Sequence, residues 1–579
     1  MSKLTRSVYC LLFLLPASSL IQAQTSAKLR SSEVPKGWHT MDRDKDGQFG
    51  ISVEKAYEFI QSKKIKGKPV LVAVIDSGID TLHEDLKEVL WRNPGEIPGN
   101  GIDDDKNGYV DDIYGWNFLG NKDGRNVEKD TYEGARVYHS LKNKYQGKKI
   151  DTAQLSADEK YEYAMWLKAK QAILGDEGEG MIDLFELKQA VRIAKRQDSI
   201  LRKGMNKEEF TGHEIEKFEP NSQNERVAKN YLVSLMKANN MMDITNKDFV
   251  EGFDEFAKME EKKAEQREKQ KNELPIPYRA QVVGDNENDI NDRFYGNNNV
   301  MVSLDAAEHG THVSGIIGAV RKNGKGMDGI ADNVKIMMVR AVPDGDEHDK
   351  DVALAIRYAV DNGAKVVNMS FGKSFSPGKK WVDEAVKYAE SKGVLLVHAA
   401  GNDHKNIDSS DNFPNAVFLN ENNKKASNWI TVGASSPGNG KSEGLTAYFS
   451  NYGKDQVDVF APGSNIYATF PGGNVYRSLD GTSMASPVVA GTAAFLFSYF
   501  PYLTPQQVKY CIEKSAQAPK GKVRKPGTDE LVDLSEISKT GGIINTFEAA
   551  KIAASLQPQS SVEEPKKKSP KPKLRNRKG

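Results

Sequence analysis

The sequence predicts a three-layer α/β fold, in which a doubly wound, mostly parallel sheet carries an inserted helical subdomain. The first observation is a set of apolar, β-branched runs with the length of strands buried on both faces of a parallel sheet: 70–75, 334–342, 365–369, 394–400 and 429–434. The second is that helical stretches at 351–361 and 381–392 alternate with these runs and are followed by glycine, which is typical of strand-helix-strand units. The third is a charged region with few strand-like runs between 119 and 298.

The N-terminus has the pattern of a secretory signal peptide. In residues 1–23, basic residues precede an apolar run at 8–15, and Ala23 offers a small residue for cleavage. We therefore expect export, either to the periplasm or to the cell exterior. The apolar run is too short to span a bilayer, so no transmembrane segment is expected. Removal of this peptide leaves one cysteine, Cys511, which excludes an internal disulfide.

Residues 24–47 are expected to form a polar N-terminal extension. Three aspartates in its run MDRDKD imitate the beginning of a calcium-binding loop, but the twelfth loop position is Val53, which has no ligand atom. The pattern favours a solvated turn. A helix is predicted to follow at 53–63, with Ser52 as its N-cap.

The richest cluster of oxygen ligands lies at 100–112, in the run NGIDDDKNGYVDD. Acidic and amide side chains alternate there, and Gly108 permits a sharp turn that brings the end of the run back toward its start. Tyr114 stands at the twelfth position, so the run is not an EF-hand. A solvated acidic turn and a structural calcium site are both compatible with the pattern. The candidate calcium ligands are Asp103, Asp105, Asn107, Asp111 and Asp112.

Two further regions differ in composition from the sheet-forming parts. The insertion at 119–298 contains helical stretches at 160–174, 181–203, 225–238 and 249–271. The last of these includes EEKKAEQREKQK, which predicts a solvated helix or a partly disordered segment. The composition of residues 556–579 predicts a basic, disordered tail. Such a tail either increases solubility or contacts an anionic surface. The net charge of +1 gives no reason to expect nucleic acid as a partner.

A candidate nucleophile lies in the run GTSMASPVVAG, at 481–491. Ser483 follows a glycine turn and precedes a long apolar stretch, which predicts a serine at the start of a buried helix. Pro487 agrees with this, since proline is tolerated in a first helical turn. The free main-chain amides at a helix start can stabilise negative charge on a carbonyl that the hydroxyl attacks. A serine that merely caps a core helix is the alternative.

A serine nucleophile needs a base, and the base needs an orienting acid. His309 is the candidate base, because glycine follows it at the start of a predicted helix of small, apolar residues. Asp76 is the candidate acid, because it ends the first buried strand and can accept a hydrogen bond from one imidazole nitrogen. Asn402, after the strand at 394–400, can direct its amide at an oxyanion, although a turn residue is the alternative. His312 has no carboxylate at ligand spacing, which predicts a packed structural residue rather than a metal ligand.

These residues stand in motifs that resemble the subtilisin family of serine endopeptidases. The motifs are VAVIDSGID around Asp76, HGTHVSG around His309, NMSFG at 368–372, AAGND around Asn402 and GTSMASP around Ser483. The resemblance implies that the aspartate, the histidine and the serine form a catalytic triad in the chain order typical of subtilisin. It also implies that the asparagine completes the oxyanion hole. The resemblance covers about 48–118 and 299–550 of this chain.

The resemblance further implies where a substrate binds. An extended peptide is expected to pair with an edge formed by Ser370, Phe371 and Gly372, in the manner of an added strand. The residues expected to line the pocket for the side chain before the cut are Ala399, Ala400 and Gly401. Structural calcium is common in this family, which favours the calcium interpretation of the acidic run, and no cofactor is needed for the chemistry. Sedolisin-like acid peptidases resemble the chain less, because they carry acids where His309 and Asn402 stand.

Two features depart from the family pattern. About 25 residues separate the signal peptide from the helix after Ser52, too few for the usual folded inhibitory propeptide, which puts the usual form of autoinhibition in doubt. The second departure is the insertion between Asp76 and His309. It either restricts or recruits substrate, or it is a passive elaboration.

We therefore expect an exported serine endopeptidase that cleaves proteins or peptides through an acyl-enzyme. The peptidase domain is expected to comprise 48–118 and 299–555, interrupted by the insertion at 119–298. The alternative from a different functional class is a non-catalytic binding protein with a subtilisin-like fold, in which the helical insertion binds the partner.

Overall fold

The computed structural model describes residues 34–175, 184–239, 241–438 and 441–556. The predicted signal peptide at 1–23, and all of the predicted basic tail except residue 556, lie outside these ranges. None of the helices within the described ranges is both long and apolar enough to cross a bilayer.

Seven strands form one sheet, and each neighbouring pair in it is parallel. The order across the sheet is β2–β3–β1–β4–β5–β6–β7. The strands are β1 (Val70–Asp76), β2 (Gly115–Asn117), β3 (Val334–Arg340), β4 (Val366–Met369), β5 (Leu395–Ala399), β6 (Trp429–Ser435) and β7 (Val459–Pro462). The five predicted strands are β1, β3, β4, β5 and β6, which confirms the predicted α/β fold class. Two antiparallel pairs follow in the chain, β8 (Ile466–Phe470) with β9 (Val475–Leu479), and β10 (Val523–Arg524) with β11 (Leu531–Val532).

The helices fall into three groups along the chain. Before the first strand lie α1 (Arg43–Asp46) and α2 (Val53–Ser62). The inserted region contains α3 (Glu133–Tyr145), α4 (Ala157–Leu174), α5 (Leu184–Met205), α6 (Gly212–Lys217), α7 (Gln223–Ala238), α8 (Asn246–Asn272) and α9 (Tyr278–Val282). The sheet is accompanied by α10 (Glu308–Gly318), α11 (Asp349–Asp361), α12 (Lys379–Ser391), α13 (Thr482–Tyr499), α14 (Pro505–Ser515) and α15 (Thr546–Ser555).

The sheet is covered by helices on both faces. Along β1, Val72 and Val74 belong to the hydrophobic cluster that contains α10 and α13, whereas Ala73 and Ile75 belong to the cluster that contains α11 and α12. All four side chains are fully buried. Because successive side chains of a strand point to opposite faces, this alternation shows that β1 lies between two layers of helices.

Residues 34–47, predicted as a polar extension, pack against the sheet-containing part of the chain. Trp38 is fully buried, and its indole N–H donates to the carbonyl of Ser464 at 3.0 Å. The carboxylate of Asp42 accepts the main-chain amides two and three residues further on and pairs with Lys55 at 2.7 Å. The acidic run is therefore the capped start of α1.

Ser52 does not cap α2 through its side chain, contrary to the prediction. Its φ angle is 58°, in the left-handed region. Its hydroxyl donates to Asp42 at 2.8 Å and accepts from the side-chain amide of Asn545 at 2.9 Å. A capping side chain acts from extended backbone, so the left-handed conformation leaves this hydroxyl to connect two distant segments instead.

The insertion has two parts with different packing. Helices α5, α7 and α8 enclose a hydrophobic cluster of their own, and the charged run EEKKAEQREKQK forms the second half of α8. Helices α3 and α4 pack instead against loops of the sheet-containing part, where Tyr138 and Met165 share a cluster with Phe375 and Phe413.

Buried histidines make the stability of the fold depend on pH. His39 is completely buried, and neither of its ring nitrogens has a hydrogen-bond partner among the described residues. Burial, with a smaller contribution from the charge of His312, lowers the pKa of His39 to about 3. Burial also lowers the pKa values of His312 and His398 to about 4. The unfolded chain binds these protons near pH 6.5. The stability that the three neutral, buried rings contribute is therefore fully present above pH 6.5, and it is lost as the pH falls toward 4.

We expect His39→Leu to weaken this pH dependence, because leucine cannot bind a proton and removes two buried nitrogens without partners. The free energy of unfolding at pH 7 should stay the same or rise, and its slope between pH 6.5 and 4.5 should correspond to about one proton fewer. Urea unfolding at a series of pH values measures both. His213→Leu, at a side chain that is 54% exposed, serves as the control and should keep the wild-type slope. A wild-type slope in the His39 variant would contradict the account.

Candidate active site

Three elements bring the candidate catalytic side chains to one edge of the sheet. Strand β1 ends at Asp76, α10 begins one residue before His309, and α13 begins one residue before Ser483. The carboxyl ends of parallel strands are where α/β sheets carry functional groups. Gly310 permits the close approach of α10, because a Cβ atom there would lie 2.1 Å from the carbonyl oxygen of Gly78.

Asp76 and His309 are joined by a hydrogen bond. The Nδ1 atom of His309 lies 2.8 Å from Oδ1 of Asp76 and 3.0 Å from Oδ2. The carboxylate is 2% exposed and the imidazole 37% exposed. Burial alone lowers the pKa of His309, but the charge and the hydrogen bond of Asp76 outweigh it and raise this pKa above its ordinary value. Since an ionised carboxylate can only accept, Nδ1 carries the proton and Nε2 of the neutral ring is left as a base.

The hydroxyl of Ser483 donates to the main-chain carbonyl of Ser370 at 3.1 Å. In the part of the chain that the structure describes, the hydroxyl is thus directed at Ser370. A hydrogen bond from Ser483 to His309 stays a prediction. Hydrogen bonds of catalytic groups often form only when substrate is bound.

Pro487 lies in the second turn of α13 and not in the first, contrary to the prediction. Proline has no N–H, so the carbonyl of Ser483, four residues earlier, loses its partner within the helix. The hydroxyl of Ser370 donates to that carbonyl at 2.9 Å and accepts from the side-chain amide of Asn368 at 2.9 Å. Ser486 donates to Oδ1 of Asn368 at 2.8 Å. This network ties the main chain of the candidate nucleophile to the end of β4.

Asn402 is held in one orientation by Thr482. Its Oδ1 atom accepts from the main-chain amide of Thr482 at 2.8 Å and from the hydroxyl of Thr482 at 2.9 Å. Because a main-chain N–H must face an acceptor, these bonds fix the oxygen end of the amide and leave Nδ2 as a donor on the other side. The Nδ2 atom lies beside the start of α13, 3.6 Å from the place that a Cβ atom on Gly481 would occupy. The arrangement is suited to donating to an oxyanion formed at Ser483.

The two predicted substrate-binding segments, 370–372 and 399–401, have Asn412 between them. A Cβ atom on Gly372 would lie 3.0 Å from Oδ1 of Asn412, and one on Gly401 would lie 3.5 Å from it. The Nδ2 atom of Asn412 donates to the carbonyl of Ala400 at 3.0 Å. Sequence reasoning missed Asn412, because an asparagine in a polar loop carries no signal that distinguishes it from a turn residue.

Two buried histidines near the site make structural contacts. His312 donates from Nε2 to the carbonyl of Arg477 at 3.0 Å, and within the described ranges it belongs to no group of metal-ligating side chains. His312 is completely buried, as expected of a packed residue. His398 donates from Nε2 to the carbonyl of Phe371 at 2.8 Å. This bond holds the main chain of the predicted substrate edge.

The acidic run at 100–112 contributes to one cluster of carboxylates. Oxygen atoms of Glu96, Asp105 and Asp112 lie within 4.8 Å of one another. Burial raises the pKa of Asp112 to about 6, although Tyr358 donates a hydrogen bond to it at 2.6 Å. Crowded carboxylates of this kind are stabilised by a cation or by a proton.

The other predicted ligands of the run lie outside this group of three carboxylates. Asp103 and Asp111 accept hydrogen bonds from main-chain amides of their own loop. Asn107 directs Nδ2 at the cluster, while its Oδ1 accepts from a main-chain amide. These three side chains hold the loop, as do Glu96 and Asp105, which also accept main-chain amides of the loop. Sequence reasoning missed Glu96, because it precedes the acidic run.

Comparison with known proteins identifies relatives of this chain. A family model described as "Subtilase family" matches residues 67–536. The chain is 37% identical over 269 residues to the cell wall-associated protease of Bacillus subtilis, and the match covers 46% of this chain and 27% of that protein. It is 41% identical over 191 residues to thermitase of Thermoactinomyces vulgaris, covering 33% of this chain and 61% of that protein.

A third relative is covered more completely. The chain is 35% identical over 215 residues to Subtilisin DY of Bacillus licheniformis, a match that covers 37% of this chain and 72% of that protein. For the cell wall-associated protease and for thermitase, by contrast, the matched part is less than two thirds of the relative's length.

Proposed function

Since the chain belongs to the subtilase family, we propose that it is an exported serine endopeptidase whose active site is built from Asp76, His309 and Ser483. The observation that carries the proposal is the 2.8 Å bond between Asp76 and Nδ1 of His309. It leaves Nε2 of a partly exposed imidazole available as a base, at the sheet edge where α13 presents a serine.

In the proposed reaction, Ser483 Oγ attacks the carbonyl carbon of the scissile peptide bond and gives its proton to Nε2 of His309. Asp76 stabilises the imidazolium that results. The negative charge on the former carbonyl oxygen is stabilised by Nδ2 of Asn402 and by the main-chain amide of Ser483. His309 then protonates the leaving amine, which leaves an acyl group on Ser483. Water attacks this ester and gives a proton to Nε2 of His309; the bond to Ser483 Oγ then breaks, His309 returns the proton to Oγ, and the carboxylic acid is released.

Hydrolysis of casein, a protein without a compact fold, tests the proposed activity. We expect new peptides to form, and a sulfonyl fluoride that modifies reactive serines should stop their formation. Folded protein that yields no peptides would favour the alternative of a non-catalytic binding protein.

The proposed substrates are proteins or peptides, bound as an added strand along 370–372 with the side chain before the cut between that edge and 399–401. We propose export to the periplasm or the cell exterior, in agreement with a relative whose name places it at the cell wall. Contact of the basic tail with an anionic surface belongs to the same proposal. The peptidase domain is proposed to comprise 48–118 and 299–555, with 119–298 inserted.

We also propose a structural calcium ion held by Glu96, Asp105 and Asp112. The cluster suits a cation, because three carboxylates meet there and burial opposes the ionisation of Asp112. Excess chelator is then expected to lower the melting temperature by several degrees, and added calcium should restore it, since a ligand that binds only the folded state stabilises it.

A pair of variants locates the calcium effect. Asp112→Asn should lower the melting temperature and abolish the response to chelator. Asp104→Asn, in the same run but outside the cluster, should keep the response. A wild-type melting temperature that is the same with and without chelator would contradict the proposed calcium site.

A further inference from the structure

The main chain that follows the proposed substrate edge carries a buried lysine. Lys373 comes directly after Gly372, and its side chain is 1% exposed. Its Nζ atom lies 2.8 Å from Oε2 of Glu133 and 3.0 Å from Oδ1 of Asp349, and it donates to the carbonyl of Glu347 at 2.7 Å. Burial alone would lower the pKa of this lysine, but Asp349 and Glu133 outweigh burial and raise it. Lys373 is therefore charged, and three groups fix its position.

One of these groups comes from the insertion. Glu133 is the first residue of α3, and its main-chain amide donates to Oδ2 of Asp346 at 2.7 Å. Its carboxylate also pairs with Arg136 at 2.6 Å. Arg136 in turn donates to the carbonyls of Asp346 and Glu347, at 3.0 and 3.1 Å. The start of α3 thus lies between the loop before α11 and Lys373, and it is bonded to both.

The insertion also packs against Phe413, whose main chain pairs with that of Lys373. Lys373 and Phe413 exchange two main-chain hydrogen bonds, of 2.9 and 2.8 Å. Phe413, which directly follows Asn412, packs in the hydrophobic cluster that contains Tyr138 of α3 and Met165 of α4. Helices α3 and α4 therefore support the main chain that follows the proposed substrate edge and the loop that contains Asn412.

We infer that Glu133 is a positioning residue for substrate binding, which acts through Lys373 to fix the edge at 370–372 against which a peptide is added as a strand. The inference rests on the proposed function and gives the insertion a role in it. Strand addition needs main-chain partners at fixed positions, and small displacements of such groups are costly. A peptide that spans several residues before the cut depends on the whole edge. A small reagent that reaches only Ser483 does not.

Glu133→Gln tests the inference, because it removes the charge at nearly constant volume while Asp349 still pairs with Lys373. Two rates are measured on the full exported chain: kcat/KM for a tetrapeptide anilide cleaved after its fourth residue, and the rate constant for modification of Ser483 by phenylmethylsulfonyl fluoride, which has no peptide backbone. We expect kcat/KM to fall about tenfold or more, mainly through a higher KM, and the modification rate to change by less than about twofold.

Glu261→Gln is the matched control. It breaks an exposed ion pair with Lys188 in the other part of the insertion, and both rates should stay at wild-type values. If Glu133→Gln changes both rates by the same factor, or changes neither, the inference is overturned and the insertion is passive at this site. A wild-type protein that neither cleaves nor reacts would overturn the proposed function instead.

A second variant decides the matter if Glu133→Gln does not fold. Glu133→Asp keeps the charge and withdraws the carboxylate by one methylene group. It should give a smaller loss that is still confined to the tetrapeptide. Equal factors for the two reactions would again overturn the inference.

Discussion

Replacing Ser483 with alanine is expected to lower kcat for peptide hydrolysis by about a millionfold, a magnitude measured on subtilisin, another member of the family. Alanine removes the only atom that can form the acyl-enzyme in the proposed reaction. The rate that remains would come from the oxyanion donors and from substrate binding. Peptide release from casein, with product detection sensitive enough for slow turnover, measures the loss.

Folding should not be affected by this substitution. The main-chain carbonyl of Ser483 still accepts from Ser370, so the network behind the helix start is kept. The melting temperature of the variant is therefore expected to match the wild type. Ser478→Ala, at an exposed serine of β9, is the control and should retain full activity. Activity of the Ser483 variant within tenfold of the wild type would exclude Ser483 as the nucleophile.

The second large effect is expected at Asn402. Asn402→Asp keeps an oxygen to accept from Thr482 but replaces the Nδ2 donor with a second, negatively charged oxygen. We expect kcat to fall by about a hundredfold to a thousandfold with little change in KM, because the donor stabilises charge that exists only after attack. That range was measured for an oxyanion-hole asparagine of subtilisin.

Steady-state kinetics on one peptide substrate separate this effect from a general disturbance. Thr482→Val removes the hydroxyl that donates to Asn402 and accepts from the main-chain amide of Gly401, but the main-chain amide of Thr482 still holds the Asn402 side chain. Its loss in kcat should stay below about tenfold. If the two variants lose the same activity, Asn402 acts by holding the helix start and not by donating to the oxyanion.

The parts of the fold that local pattern determines could be predicted from the sequence. The five apolar runs became strands because each is long enough and apolar enough to be buried on both faces. The aspartate, histidine and asparagine of the candidate site could be placed at strand ends and helix starts for the same reason. Helix α3 was missed, since its N-cap residue is Tyr132, which makes no side-chain capping bond and gives no start signal.

Contacts between distant segments could not be predicted. The hydroxyl of Ser52 is directed by Asp42 and Asn545, not by the helix it precedes. The role of Glu133 depends on Lys373, which lies 240 positions away in the chain. Serine before a helix and glutamate in a first helical turn usually interact with their own helix. Here both side chains bind residues that are distant in the sequence.

Detection of the acyl-enzyme tests the central claim most directly. The protein is mixed with a chromogenic ester and quenched in acid after milliseconds, and the acylated residue is located by peptide mass spectrometry. We expect one acyl group on the peptide that contains Ser483, none in Ser483→Ala, and much slower acylation in His309→Ala. Cleavage of casein by a wild-type protein in which Ser483 is never acylated, or in which another side chain carries the acyl group, would contradict the proposed mechanism.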